Sequence, residues 1–422
     1  MDVKHGFAFP GENIRDEPPG DILLTPGNFA IGGGFKGDKF KYFDGEVPDD
    51  YVLSEGDLVV TMTDLSKQAD TLGYPAVVPK PRGPRFLHNQ RLGKVLIKRD
   101  AEVDKEFLFY LLRTAEYRHE VLASATGTTV KHTSPGRILA HKAGIPPLTE
   151  QKAIAAVLGA LDDKIELNRR MNVTLEAMAR ALFQSWFVDF DPVRVKLDGS
   201  PSNSLDAKMV DLFPAAFQDS PLGPIPEGWE VTRLDNIASV SMGLSPDGES
   251  YNAEGVGIPL INGPVEFGDY FPVKTKWTEA ATRLAVKDDL IFCVRGSTTG
   301  RRVISDGEYG IGRGVCAIRA KNDFHSFLYQ TINVGLYRLL EKTTGSVFPS
   351  LSAPDIKGFP VLKPSRGVLE AFERATKPLI QHIQQNHHQS RNLASLRDSL
   401  LPKLLSGEIE VGPVATQLKR HL

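Results

Sequence analysis

The chain has few of the residues that mark enzymes of familiar kinds. Only two cysteines occur in 422 residues, Cys293 and Cys316, each inside an apolar run. That excludes a disulfide framework and reads as buried reduced thiols in a cytosolic protein rather than a disulfide or metal pair. The ten histidines are scattered, with His387 and His388 on a polar face of a helix, and none has zinc-site spacing with a cysteine. The stretch "IGGGFKGDK", Ile31 to Lys39, lacks the Gly-Lys-Ser/Thr ending of a phosphate loop and reads as a hairpin turn. "GLSPDG" is not a nucleophile elbow, and no Asn/Asp-Pro-Pro-Tyr-like methylation motif is present. No catalytic residue and no metal ligand is therefore assigned. The N-terminus has no apolar targeting core, and no run reaches the ~18 apolar residues of a membrane span, so the expected location is cytoplasmic.

Charge of one sign is also lacking overall, since the net charge is −2. The average hides a dipole. Met1 to Pro79 holds 6 Lys+Arg against 14 Asp+Glu, and Lys80 to Lys142 holds 13 against 6. The basic stretch has the charge needed to approach phosphates. On charge alone, an uneven but solvated surface explains it equally well.

What is present is a repeat, the first thing to look for because it decides the architecture. "TGTTVKHTSPGRI", from Thr126, returns as "TGSVFPSLSAPDI", from Thr344, an offset of 218 that sets Lys131 and His132 against Pro349 and Ser350. "GKVLIK" from Gly93 is set against "GVCAIR" from Gly314, "FLFYLL" from Phe107 against "FLYQTI" from Phe327, and "GDLVVTMT" from Gly56 against "DDLIFCVR" from Asp288. Each copy reads as short β-rich runs, one short helix, the repeated motif and a long helix.

Leu148 to Phe187 contains no proline and carries a narrow seam at Ile154, Leu158, Leu161, Ile165, Asn168, Asn172, Leu175, Ala179, Leu182 and Trp186. Arg366 to Leu405 repeats it with Phe372, Ala375, Leu379, Ile383, Asn386, Leu393, Leu396 and Leu400, although Pro378 and Pro402 are expected to kink or end it. Such a seam needs a partner, and two equivalent units pair about a two-fold axis, which sets the helices antiparallel. Asn168 and Asn386 sit at the helix midpoints and are expected to face each other and fix the register. A solvent-facing position for both is the competing reading. A helix of this length spans about 60 Å.

The fold class is thus α+β: two pseudo-repeated β-rich domains and two long antiparallel coiled-coil helices. The expected division is 1–147 and 228–365 for the domains, 148–187 and 366–405 for the helices, 188–227 for a linker that wraps rather than packs, and 406–422 for a tail. Polar and cationic loops follow the strands. In the second copy these offer Arg295, Ser297, Thr298, Thr299, Arg301, Arg302 and Arg313. In the first they offer Thr63, Lys67, Gln68, Asn89, Gln90 and Arg91, with Lys131 from the repeated motif. Arg suits guanine O6 and N7, Asn and Gln suit adenine, and Lys, Ser and Thr suit phosphate. Simple exposed loops would look the same. Two like scaffolds with unlike loops have the logic of a bipartite reader. A coiled-coil scaffold with two ligand-binding β domains and no DNA role is the alternative. A third reading, the recognition half of a single-chain restriction-methyltransferase, is disfavoured by the missing methylation motif.

The arrangement resembles the specificity (S) subunit of type I DNA restriction-modification systems. The resemblance covers nearly the whole chain and is carried by Ile145 to Val193, by "LGPIPEGWEV" (Leu222 to Val231) and by "LRDSLLPKLLSGEIEV" (Leu396 to Val411). It implies two target-recognition domains on a double-stranded DNA target, with the helices as ruler and as docking surface for two methyltransferase (M) subunits. It implies a non-catalytic subunit, with restriction (R) subunits joined through the complex. S-adenosylmethionine, ATP and Mg are expected in those partners and no cofactor in this chain. One departure stands out: the second domain opens with "GWEVTRLDNIASVSMG", from Gly228, whereas the first begins at the equivalent of about Ala238. About 15 residues, including an opening strand, are expected to be missing there, judged against the ten from Gly228 to Ile237 and the run before them.

Overall fold

The structure, a computed structural model, describes residues 1–66, 68–199, 207–343 and 349–421. Each copy builds the same two sheets. In the first, a four-stranded antiparallel sheet runs in the order Asp2–His5, Leu92–Leu96, Leu58–Thr61, Pro75–Val77. A five-stranded one runs Ile14–Arg15, Lys41–Phe43, Asp21–Leu24, Phe86–His88, Val52–Leu53. The second copy repeats both orders, as Ala238–Met242, Val315–Ala320, Leu290–Cys293, Arg302–Ile304 and as Tyr251–Asn252, Trp277–Thr278, Ile258–Ile261, Tyr309–Ile311, Leu284–Ala285. The parallel pairing within the five-stranded sheet recurs too, between Asp21–Leu24 and Phe86–His88 and between Ile258–Ile261 and Tyr309–Ile311. Leu58–Thr61 and Leu290–Cys293 are buried at every residue, which is why both read as continuous apolar runs rather than alternating ones.

The pairings correct one alignment. Thr61 stands opposite Leu92, and Cys293 opposite Val315, so Gly93 corresponds to Cys316 and not to Gly314. A slip of two residues returns every side chain to the same face, and alternation in the sequence cannot detect it.

Leu148–Phe187 and Arg366–Leu405 are single α-helices. The second ends at neither proline. Pro378 and Pro402 are exposed, so the carbonyls that lose an amide partner face water. The helices are antiparallel: the Trp186 ring lies 5.8 Å from that of Phe372, while Asn168 meets Gln389. The seam of the second helix departs from the heptad reading, because Ala375 and Leu396 are exposed and Thr376 is buried instead. A straight 3.6-residue helix drifts by about 20° per heptad, which moves the buried stripe off a strict repeat.

The chain divides into two compact units, Met1–Leu167 with Ser390–Leu422, and Asn168–Gln389. In the first, Ile154, Leu158 and Leu161 pack with Leu393, Leu400, Leu404 and with Phe107 and Tyr110 of the domain. The tail is not free, since Val411–His421 is helical and Val411 and Val414 join this core. In the second unit, Phe183, Phe187, Val368 and Phe372 share a core with Trp229 and with Phe190, Val193, Phe213 and Ile225. Those last four belong to the linker, which therefore packs; its aromatic residues outweigh its Pro and Ser content. Glu230–Arg233 pairs with Pro360–Lys363. At the corresponding place in the first domain, Lys142–Ile145 is exposed and carries no strand. Among the described residues no helix is long and apolar enough to cross a membrane.

Candidate nucleic-acid interface

In the second domain, Leu290–Cys293 leads to Arg295, whose backbone bridges to Ser350. Gly296 N donates to Pro349 O at 3.0 Å, and Thr299 Oγ1 donates to Gly296 O at 2.7 Å and Pro349 O at 3.0 Å. The loop turns at Gly296 and Gly300, with φ of +87° and +96°, a backbone region that favours glycine. It returns through Arg301, whose carbonyl accepts from Cys293 N at 2.8 Å. Across the sheet, Val294 N donates to Gly314 O at 2.9 Å, beside the turn Gly312–Val315. Arg295 and Arg313 thus flank the Val294–Gly314 bond at one strand end. Both are exposed, as are Ser297 and Arg301, and among the described residues no carboxylate pairs with Arg295, Arg301 or Arg313. The Arg301 guanidinium lies 6.0 Å from the centre of the Phe267 ring.

The first domain builds the same strand ends from other side chains. Thr61 N donates to Tyr74 O at 3.1 Å, and Met62 N to Arg91 O at 2.8 Å. Thr63 therefore stands where the second domain has Arg295, Gln90 where it has Arg313, Tyr74 where it has Arg301, and His132 where it has Ser350. Lys131–His132 pairs with Thr63–Asp64, and Thr63 Oγ1 lies 3.1 Å from His132 Nδ1. The loop that follows is wound around Asp64, whose carboxylate accepts from Ser66 N at 2.6 Å and Thr71 Oγ1 at 2.6 Å. Burial pushes its pKa up, but the bonds from Thr71 and Ser66 prevail and hold it below the ordinary range.

Of the residues singled out in the sequence, Gln68, Gln90, Arg91, Arg295, Ser297, Arg301 and Arg313 are exposed, and Lys131 and Thr298 half-buried. Lys67 and the segment Thr344–Phe348 of the repeated motif lie outside the described residues. Four expectations are corrected. Arg302 donates to Asn333 Oδ1 and to Gly300 O at 3.0 Å, and burial lowers its pKa, so its guanidinium is committed to the helix His325–Leu340. Asn89 is buried, and its side-chain oxygen accepts from Arg91 N at 2.9 Å, closing the turn that presents Gln90. Thr63 is buried against His132, and Thr299 holds the loop rather than facing outward.

Asn168 and Asn386 are 1% and 5% exposed. Asn168 Nδ2 lies 3.5 Å from Asn386 O and donates to Gln389 Oε1 at 2.8 Å, while Asn386 Nδ2 donates to Asn172 Oδ1 at 2.8 Å. Neither is solvent-facing. His387 and His388 do not sit on a merely polar face: their rings stack on Tyr270 at 5.1 Å and Phe271 at 5.3 Å. Reading the sequence alone missed Tyr74, Ser350 and the role of His132. The usable signal was the glycine before the returning strand, Gly73 in one copy and Gly300 in the other, whose amides donate to the equivalent Thr61 and Cys293 carbonyls.

The family described as "Type I restriction modification DNA specificity domain" matches residues 31–177 and 226–366, once in each copy. The type I restriction enzyme MjaIX specificity subunit of Methanocaldococcus jannaschii is 27% identical over 353 residues, covering 81% of this chain and 76% of the relative. The HindI specificity subunit of Haemophilus influenzae is 25% identical, covering 72% and 77%. The crystal structure of a type I restriction-modification S subunit from M. genitalium superposes with a TM-score of 0.52 at 18% identity, over 96% of this chain and 93% of that one, a likeness of fold. Together the doubled domain, the paired helices and these matches place the chain: it belongs to the type I restriction-modification DNA specificity family, as a subunit that recognises DNA sequence.

Proposed function

We propose that this chain reads a bipartite DNA target, one half-site per β-rich domain, and that its long helices set the spacer between them. The supporting observation is the contrast at the strand ends: one topology presents Gln90, beside Tyr74 and a buried Thr63, in the first domain and exposed Arg295, Arg301 and Arg313 in the second. The chain does no chemistry itself. It directs adenine methylation and cleavage by two methyltransferase subunits docked on the helices and by restriction subunits joined through the complex, in the cytoplasm. S-adenosylmethionine, ATP and Mg belong to those partners. Purified chain mixed with the methyltransferase subunits encoded beside it should methylate adenine in one split sequence; a complex that assembles without methylating any sequence would defeat the proposal. Four residues inserted after Asn168, about 6 Å of helix, should change the spacer and leave both half-sites as they were.

A further inference from the structure

The strand end of the second domain carries an electrostatic cost that its own fold leaves standing. Arg295 and Arg313 flank the Val294–Gly314 bond that closes this strand end, and two like charges so near each other repel. No carboxylate among the described residues relieves them. The backbone beneath is fixed by the Arg295–Ser350 bridge and the Gly296–Pro349 bond. The turn that bears Arg313 is pressed against Asn262: a Cβ on Gly312 would fall 1.9 Å from Asn262 Oδ1, and one on Gly314 2.1 Å from Asn262 O. Glycine is thus required after Arg313, where the obstacle is the Asn262 carbonyl, and a side chain before it would displace the Asn262 amide, leaving a narrow tip with one long side chain.

We infer, resting on the DNA-reading role proposed above, that the second domain reads guanine. Arg295 and Arg313 each donate a bidentate pair of hydrogen bonds to O6 and N7 of guanines on neighbouring base pairs of its half-site. A narrow β turn fits a major groove about 12 Å wide. The arginine fork fits a phosphate as well as guanine; what favours bases here is that both arginines sit at a strand end whose narrow turn is able to enter the groove, where base edges are read. The first domain, with Thr63 and Gln90 at the same places, lacks this preference.

The test uses the full chain in complex with its methyltransferase subunits, reading methylated positions by single-base sequencing and initial rates on duplexes. One half-site should contain neighbouring guanines. Arg295→Gln and Arg313→Gln should each lower methylation of that target about five- to a hundred-fold and relax the preference at one guanine. Arg295→Lys and Arg313→Lys should not restore it. Uniform loss across sequences, restored by lysine and with a shallower salt dependence, would mark phosphate contacts and overturn the guanine assignment. A half-site that tracks these residues yet contains no guanine would also overturn it, while the recognition role stood. If neither glutamine variant changed rate or sequence, the strand end itself would not be the reader. Gln90→Arg supplies a variant independent of any folding defect in the second domain: it should add a guanine preference to the other half-site, and no change there counts against the inference.

Discussion

The two β-rich domains have the same strand orders, and they differ in what each puts at equivalent places. The joint between domain and helix shows this most sharply. In the first unit Asp162 of the long helix accepts from Tyr110 Oη at 2.9 Å and Arg113 Nη1 at 3.0 Å and also binds Arg397. Arg113 Nε continues to Gly32 O at 2.6 Å, tying the glycine-rich loop to the helix. In the second unit the residue 218 positions on is Ile380, packed in an apolar cluster, and the equivalent loop lays Tyr270 and Phe271 on His387 and His388. One joint is ionic and the other apolar and aromatic. The repeat therefore conserves a shape that two different chemistries can hold.

Breaking the ionic joint should give the largest effect. Asp162→Ala leaves Arg113, whose side chain is 6% exposed, without a carboxylate, while Arg397 keeps Asp398, and a cation left buried without its partner costs about 3 kcal/mol or more. Hydrogen exchange should rise in Lys105–Leu111 and stay unchanged in His325–Leu340. Equal rises in both helices would mean that the hub does not belong to the first joint.

A second contrast lies in the cores. His88 and Ile311 close the equivalent strands, both fully buried. Burial pushes the His88 pKa down to about 4, and its Nε2–H donates to Leu92 O at 3.0 Å. With the unfolded value near 6.5, the unfolded chain takes up the proton first as pH falls. The first domain should thus be fully stable above about pH 6.5 and lose up to about 3 kcal/mol by pH 4. His88→Ile should abolish that loss, and the second domain should not show it. A pH series of thermal melts with a probe in each domain checks both statements.

A smaller effect separates two adjacent arginines. Arg302→Ala removes hydrogen bonds to Asn333 and Gly300 from a half-buried site and should cost about 1–2 kcal/mol of stability with the methylated sequence unchanged. Arg301→Ala, at an exposed position, should do the reverse. Identical phenotypes would erase the distinction between the inward and outward arginine.

The sequence exposes the helices well because their signal is local: apolar residues at fixed spacing mark Leu148–Phe187 and Arg366–Leu405 without reference to anything distant. The strand ends are half legible. Composition points to the loops, but only pairing across 30 or so residues tells that Asn89 closes a turn while Gln90 is presented. The joints are not legible at all. Arg113, Asp162 and Arg397 are separated by 49 and 235 positions, and no periodicity links them. The inward role of Arg302 is hidden for the same reason, since its partner Asn333 lies 31 residues away.

The helices invert the lesson of the domains, for here the two copies keep the same residue. Asn168 and Asn386 are related by the repeat itself, and Asn172, Asn386, Asn168 and Gln389 form one polar stretch inside an otherwise apolar seam. If these amides serve register rather than strength, removing a bonded pair should cost less than the two single removals added together. Asn386→Leu leaves Asn172 Oδ1 without the 2.8 Å donor and should cost about 1–2 kcal/mol, as should Asn172→Leu. The double variant should lose less than the sum, with a coupling of about 1 kcal/mol in the cycle. Additive losses would show that the bond does not matter, and the polar stretch would be no more than tolerated. With coupling present, the double variant should methylate targets of more than one spacer length, because leucines at both positions no longer penalise a slipped register.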